Sequence, residues 1–123
     1  MIVDDDQFLL DMYAVKFKAA GFEVEATLDP AFALKKLRDG FTPDAIMLDV
    51  VMPGIDGLEL LQQVHDEHLG GDPAIIMLTN QSQQSDIDAA QAIGVDGYIV
   101  KADHVPSEVI QEVSAIIKKK KNA

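Results

Sequence analysis

The chain has 123 residues, 48% of them hydrophobic, and a formal net charge of -11 at pH 7. These values suit one domain with a single core and argue against disorder, and the acidic charge argues against binding to nucleic acid or anionic membranes, which it would repel. The lack of cysteine excludes disulfides and thiolate zinc sites. The sequence has neither the pattern of an N-terminal signal peptide nor an apolar run near the roughly 18 residues of a membrane span, so we expect a cytoplasmic protein.

The first half of the chain alternates short apolar strands with amphipathic helices. Ile2–Val3 has the apolar character of a strand end, and apolar residues recur at mainly helical spacing over residues 8–17. The alternation of residues 22–27 predicts a second strand. Asp29 followed by Pro30 is typical of a helix start, because Asp caps the helix and Pro fits the first turn without losing a hydrogen bond.

The second half of the chain continues this alternation. Continuous apolar runs at residues 45–48 and 74–78 predict buried strands, and residues 98–100 predict a short fifth strand. A helical pattern follows each of them, and the last helix is expected from about Ser107. Five strand–helix units with strands apolar on both faces predict an α/β fold, in which helices cover both sides of a parallel sheet.

Polar side chains follow four of the five predicted strands. Asp4 and Asp5 follow the first strand, Asp49 the third, Thr79 the fourth and Lys101 the fifth. The carboxyl ends of parallel strands share one edge of the sheet, and ligands of such folds bind there. We therefore expect three carboxylates, one hydroxyl and one ammonium group to converge.

These five side chains suit the handling of a phosphoryl group. Three carboxylates at one point repel each other unless a divalent cation lies between them, and oxygen ligands without histidine or cysteine favour Mg2+. The Thr79 hydroxyl and the Lys101 ammonium can each contact a phosphoryl oxygen. Because an aspartate can accept a phosphoryl group covalently, the set predicts transfer onto Asp49, stabilised by position and charge.

Taken singly, each of these residues also has a structural explanation. Acidic residues near Asp4 cap the helix that follows them and suit its dipole. Thr79 alone is a strand-end residue, Lys101 alone is a solvated surface lysine, and a strand that leads into a turn often ends in a residue such as Asp49. It is their joint placement at strand ends that favours the functional interpretation.

The loop after the third strand resembles that of a known family. Residues 48–57 read Leu-Asp-Val-Val-Met-Pro-Gly-Ile-Asp-Gly, which resembles the phosphoacceptor loop of the receiver domains of two-component response regulators. Other motif positions of that family match Asp4, Asp5, Thr79, Tyr98 and Lys101. The resemblance covers essentially the whole chain. It implies a flavodoxin-like, doubly wound α/β fold with a five-stranded parallel sheet of order 2-1-3-4-5, and a single receiver domain over residues 1–123.

The resemblance also implies a role for the acidic residues. Asp49 would receive a phosphoryl group from a phosphohistidine on a histidine kinase or a phosphotransfer protein. Asp5 and Asp49 would bind Mg2+ directly, together with the backbone carbonyl of Val51, and Asp4 would act mainly through a metal-bound water. The chain would thus be a phosphoacceptor protein, with self-phosphorylation and slow autodephosphorylation chemistry, rather than an enzyme.

The resemblance implies a switch as well as an acceptor. Thr79 and Lys101 would contact the phosphoryl oxygens, Thr79 would move toward the phosphate, and Tyr98 would turn inward. This would remodel the surface formed by the fourth helix, the fifth strand and the fifth helix. Without an output domain, the chain would signal by binding a downstream protein at that surface or would serve as a phosphorelay intermediate.

Three positions depart from the family pattern. Ala102 replaces the proline that usually follows the lysine, often after a cis peptide bond, and a cis bond to a residue other than proline costs about 2.5–4 kcal/mol. Asn80 is larger than the small residue that usually follows Thr79, which would alter access to Asp49. Finally, only Ile2–Val3 precedes the acidic pair after the initiator, so we expect the natural protein to begin upstream.

Two other functions remain open at this point. An aspartate-nucleophile phosphohydrolase of the haloacid dehalogenase type would carry a second aspartate two residues after the nucleophile, where this chain has Val51. A protein-binding module that is never phosphorylated, and that dimerises constitutively, is disfavoured by the intact acidic residues. Ala102 keeps that second alternative open.

Two further groups of charged or titratable residues have structural explanations. His65 and His68 lie three residues apart on a predicted helix, and we expect surface residues rather than metal ligands. Four lysines at residues 118–121 are predicted to be a solvated helix end, where positive charge suits the helix dipole. We assign no chemistry to either group.

Overall fold

The computed structural model describes residues 1–49, 57–79, 84–100 and 105–122, apart from the side chains of Thr79, Gln84, Asp86 and Ile87. Within these ranges, strands and helices alternate along the chain in the order β1 (Ile2–Val3), α1 (Gln7–Ala19), β2 (Ala26–Thr27), α2 (Pro30–Arg38), β3 (Ala45–Asp49), α3 (Gly57–Asp66), β4 (Ala74–Thr79), α4 (Gln84–Ile93), β5 (Gly97–Val100) and α5 (Pro106–Lys121). The sheet has five strands in the order β2-β1-β3-β4-β5. All of the strand pairs are parallel, which confirms the predicted doubly wound fold.

The register of the sheet aligns the carboxyl ends of its central strands. Val3, the last residue of β1, lies opposite Leu48 of β3. Asp49, the last residue of β3, lies opposite Leu78 of β4. Residues that directly follow β1 therefore come out of the sheet at the same level as the end of β3, and β4 reaches that level as well.

The sheet separates two hydrophobic layers, because side chains along a strand alternate between its faces. Met47 faces the helices α1 and α5, whereas Ile46 and Leu48 face α2, α3 and α4. Buried helix residues that complete the first layer include Leu10, Tyr13, Phe17, Val109 and Val113. Those that complete the second layer include Leu34, Leu37, Leu60, Leu61 and Val64. Full burial of each large apolar side chain contributes about 1.5–3 kcal/mol.

The second strand is shorter than its sequence pattern predicts. Only Ala26–Thr27 forms a strand, so the prediction for residues 22–25 is wrong. The reason is that β2 is an edge strand with one neighbour, and that neighbour, β1, has only two residues to pair with. Phe22 packs edge-to-face on Phe17 instead, with 5.1 Å between the ring centroids.

The helix starts follow the capping chemistry expected from the sequence. Asp29 caps α2, where its Oδ1 accepts the backbone N–H of Ala31 at 2.9 Å and Pro30 occupies the first turn. The last helix begins at Pro106, one residue before the predicted start.

None of the helices in the described ranges combines the length and apolar character needed to cross a membrane.

Two lysines at the end of α5 form ion pairs that the sequence does not predict. Lys120 Nζ lies 2.9 Å from Asp96 Oδ2 and 3.3 Å from Asp72 Oδ1, and its side chain is 25% exposed. Lys121 pairs with Asp44 at 3.0 Å. The prediction of a solvated helix end is therefore wrong for Lys120, which ties α5 to the amino edge of the sheet.

His65 of α3 and His68 of the turn after it lie on the surface, as their sequence context predicts. His65 and His68 are both exposed. His65 lies 3.6 Å from Asp66, its neighbour in the chain, and both of these side chains are more than half exposed. Within the described residues, neither histidine belongs to a group that is able to hold a metal ion.

Candidate functional site

Three aspartates meet at the carboxyl edge of the sheet. Asp4 and Asp5 directly follow β1, and Asp49 ends the neighbouring strand β3. Each of the three offers one carboxylate oxygen that lies within 4.8 Å of the other two. Because β1 and β3 end at the same level, the predicted convergence of these carboxylates follows from the register of the sheet.

The three carboxylates differ in their exposure to solvent. Asp4 is 1% exposed, whereas Asp49 is partly buried and Asp5 is exposed. Asp4 is the one charged residue among the buried side chains of the described ranges. The cluster therefore has a closed side at Asp4 and an open side at Asp5, from which a ligand would approach.

Backbone hydrogen bonds hold the first of these aspartates in place. The N–H of Asp4 donates to Thr27 O at 3.3 Å, which continues the pairing of β1 with β2 beyond the strand. The N–H of Asp6 donates to Asp4 Oδ1 at 3.0 Å. A buried carboxylate needs such partners, because an unsatisfied charge in the interior is costly.

A tyrosine lies on the buried side of the cluster. Tyr13 of α1 is 2% exposed. Its burial, and to a smaller extent the charge of Asp4, raise the pKa of its phenol above the usual value. Tyr13 is therefore a neutral part of the layer between α1 and the sheet, and it adds no charge to the site.

The donor set of the cluster fits a hard divalent cation. It consists of carboxylate oxygens, which are the ligands that Mg2+ prefers. Two oxygens on opposite sides of one Mg2+ lie about 4.2 Å apart, and the three carboxylate oxygens here all lie within 4.8 Å of one another, which is compatible with a shared ion. A cation at this point would also remove the mutual repulsion of the three charges.

The structure describes the other predicted site residues only in part. The backbone of Thr79 ends β4 opposite Val100 of β5, which places Thr79 at the same edge as the cluster. Tyr98 of β5 is partly buried and packs against the core beneath α3 and α4. The positions that lie outside the described residues are Val51, Asn80, Lys101 and Ala102.

Asp6 contacts the acidic cluster, although the sequence pattern of candidate ligands did not indicate a role for it there. It caps α1 with its side chain and donates its backbone N–H to Asp4. The sequence does carry a signal for the cap, because Asp6 stands three residues before Leu9 at the start of the helical pattern. The hydrogen bond to Asp4 has no such signal, since it depends on the path of the turn.

The fold and this acidic edge agree with the family to which the sequence is similar. Residues 1–113 match the response regulator receiver domain family, and the chain belongs to it. The chain is thus a signalling domain of the two-component type. It is 31% identical over 119 residues to the alkaline phosphatase synthesis transcriptional regulatory protein PhoP of Bacillus subtilis, in an alignment that covers 97% of this chain and 48% of PhoP.

Solved structures of receiver domains have the same fold. A CheY-like response regulator receiver domain protein from Methanospirillum hungatei superposes with a TM-score of 0.88 at 25% identity, over 98% of this chain and 94% of that one. The chemotaxis protein CheY4 of Vibrio cholerae gives a TM-score of 0.84 at 28% identity, over 94% of both chains. By contrast, the chain spans about half the length of PhoP and similar regulators.

Proposed function

We propose that this chain is a phosphoryl-accepting signalling switch. Asp49 receives the phosphoryl group from a phosphohistidine on a histidine kinase or a phosphotransfer protein. The observation that carries this proposal is the meeting of Asp49 with Asp4 and Asp5 at the carboxyl edge of the sheet, in a chain of the receiver family. We assign the whole of residues 1–123 to one receiver domain, because the helices from α1 to α5 pack on a single sheet.

The acidic cluster is proposed to bind Mg2+. Asp5 and Asp49 would contribute direct ligands, Asp4 would act through water, and the Val51 carbonyl would complete the protein's share. A bound Mg2+ would neutralise charge on the carboxylates and on the phosphoryl oxygens. The open side of the cluster at Asp5 leaves room for the donor, and the buried Asp4 keeps the opposite side closed.

In the transfer step, a carboxylate oxygen of Asp49 forms a bond to phosphorus. The phosphorus–nitrogen bond of the donor breaks, and its electron pair stays on the imidazole nitrogen. We assign to Thr79 and Lys101 the hydrogen bonds and charge that stabilise the phosphoryl oxygens. Hydrolysis of the same acyl phosphate by water would return Asp49 to its free form.

The signal is proposed to leave through the face formed by α4, β5 and α5. Tyr98 lies in β5, one of the three elements of that face, and packs partly into the core. Movement of Thr79 toward the phosphate, followed by inward rotation of Tyr98, would change the face presented to a downstream protein or to a second copy of this chain. Phosphorylation need only bias two states that differ by a few kcal/mol.

The substitution Asp49→Asn tests the assignment of the acceptor. It keeps the size of the side chain but removes the nucleophilic carboxylate, so we expect phosphate incorporation to fall to background. The measurement is uptake of labelled phosphate from a phosphohistidine donor, with Mg2+ present and again after chelation of the metal.

The matched control for that test is Asp72→Asn. Asp72 is 91% exposed and lies near the start of β4, at the opposite edge of the sheet, so this variant should take up phosphate like the parent. Uptake by Asp49→Asn at the parent's level would overturn the proposed acceptor.

A further inference from the structure

Asp6 touches both the acidic cluster and the helix behind it. Its backbone is extended, with φ -93° and ψ 106°, and it is the N-cap of α1. Its Oδ1 accepts the N–H of Leu9 at 3.1 Å, and its carbonyl accepts the N–H of Leu10 at 2.9 Å. Three hydrogen bonds, counting the one from its own N–H to Asp4, therefore fix residue 6 between the helix and the cluster.

This arrangement restrains the two carboxylates that precede Asp6. The bond from the Asp6 N–H to Asp4 Oδ1 spans two residues and closes a turn around Asp5. The other end of the turn is held by the bond from the Asp4 N–H to Thr27. The backbone of Asp5 thus lies in a short segment anchored on both sides, although its side chain is exposed.

We propose that Asp6 is a positioning residue for the acidic cluster. By capping α1 it holds the turn of residues 4–6 in the conformation that presents Asp4 and Asp5 to a divalent cation. The role of Asp6 rests on the proposed function of the site as a Mg2+-dependent acceptor. Asp6 itself is exposed and lies outside the group of three whose oxygens converge.

The structure also defines the competing explanation. Asp6 carries a negative charge beside the cluster, and that charge alone would attract a cation whatever the shape of the turn. The two explanations differ in which substitutions are tolerated. Asn and Ser both cap helices well but carry no charge. Ala neither caps the helix nor carries a charge.

The test compares Asp6→Asn, Asp6→Ser and Asp6→Ala with the parent. Isothermal titration with Mg2+ gives the dissociation constant of each variant, and phosphate uptake at saturating Mg2+ is measured separately. We expect Asp6→Ala to bind Mg2+ about tenfold more weakly, as found when residues that orient metal ligands are removed. Asp6→Asn and Asp6→Ser should keep most of the parent's affinity.

The chain offers a matched control in Asp29→Ala. Asp29 caps α2 through its Oδ1 and the N–H of Ala31, at 2.9 Å, and it is exposed like Asp6. This variant loses a cap and a negative charge of the same kind, but its helix presents none of the three aspartates. Its affinity for Mg2+ should therefore equal that of the parent.

The outcomes separate this role from the proposed function. If Asp6→Asn and Asp6→Ser lose as much affinity as Asp6→Ala, charge is responsible and the positioning role is overturned. Parent-like affinity in Asp6→Ala overturns it as well. If the parent itself binds no Mg2+, the proposed function of the site fails and the role of Asp6 fails with it.

Discussion

At the scale of single residues, a chain that starts at Met1 carries its terminal amino group in an unusual environment for a charged group. This amino group donates to the carbonyl of Ala45 at 2.9 Å, between two strands of the sheet. Desolvation by burial lowers its pKa from 8.0 to about 6, although Glu25 and Asp44 partly oppose that shift. The native state therefore releases a proton from this group at a lower pH than the unfolded chain does.

This difference makes stability depend on pH. Between pH 6 and 8 the unfolded chain binds more protons at this amine than the native state, so the free energy of unfolding should rise with pH. A shift of this size corresponds to about 2–3 kcal/mol. Urea unfolding at the two ends of that range measures the change.

N-terminal acetylation provides the control for the titration of Met1. It removes the charged amine and leaves the histidines in place, so the acetylated chain should lose the part of the pH dependence that Met1 contributes. An identical rise in both forms would show that other groups cause it.

At the scale of elements, a glycine of β5 leaves room for a side chain of α5. A Cβ atom added to Gly97 would overlap Cδ1 of Ile116 and lie 3.3 Å from its Cγ1. Gly97 thus leaves the space in which the side chain of Ile116 packs on the sheet. Close approach rather than an unusual backbone angle explains this glycine.

The substitution Gly97→Ala should therefore destabilise the protein. The Cδ1 end of Ile116 must shift, and because it is the tip of a partly exposed side chain, the cost should be about 1 kcal/mol, the lower end for overpacking. The double variant Gly97→Ala with Ile116→Val should recover part of the loss, because valine lacks the closest atom. Equilibrium unfolding in urea measures both, and a Gly97→Ala variant as stable as the parent would contradict the packing argument.

The elements also show which features of the fold follow from local sequence. The runs at residues 45–48 and 74–78 predict strands correctly because both faces of these strands are buried, and the cap at Asp29 is a local interaction. The length of β2 could not be predicted, since it depends on the two residues of its neighbour β1. The ion pairs of Lys120 join parts of the chain that are distant in sequence, and they carry no periodic pattern.

The candidate site likewise has some features that the sequence predicts and others that it does not. The approach of Asp49 to Asp4 and Asp5 follows from a general rule about strand ends, so the sequence predicts it. The turn that fixes Asp4 through Asp6 depends on how α1 leaves the sheet, which no spacing rule specifies. Val51 and Lys101 stay predictions, since they lie outside the described residues.

At the scale of the whole molecule, ion pairs join α5 to the edge of the sheet opposite the acidic cluster. Lys120 reaches Asp72, which precedes β4, and Asp96, which precedes β5. Asp96 Oδ2 also accepts the N–H of Ile75 at 2.8 Å. Partial burial lowers the pKa of Lys120, but the hydrogen bonds and charges of Asp96 and Asp72 together outweigh it, so that the pKa is raised above its usual value.

The variant Lys120→Met tests the contribution of this network. We expect it to lower the free energy of unfolding by about 1 kcal/mol, and the loss should shrink at high salt, which screens ion pairs. Urea unfolding at low and high ionic strength measures both effects.

Lys119→Met is the matched control for that variant. It removes the same charge from the same helical turn, at an exposed residue, and should change stability by less. Equal losses in the two variants would show that net charge, rather than the contacts of Lys120, is responsible.

Because β1 has only two residues, ligand binding at its end would affect how firmly the neighbouring strands stay paired. This strand joins β2 to β3 through only two paired residues on each side, whereas β3 and β4 pair over five. An ion shared by Asp5 and Asp49 would cross-link the ends of β1 and β3. Occupancy of the acidic cluster would then suppress the separation of β1 from β3, and with it the loss of β2, which pairs only with β1, because a ligand stabilises every contact on which its closed site depends.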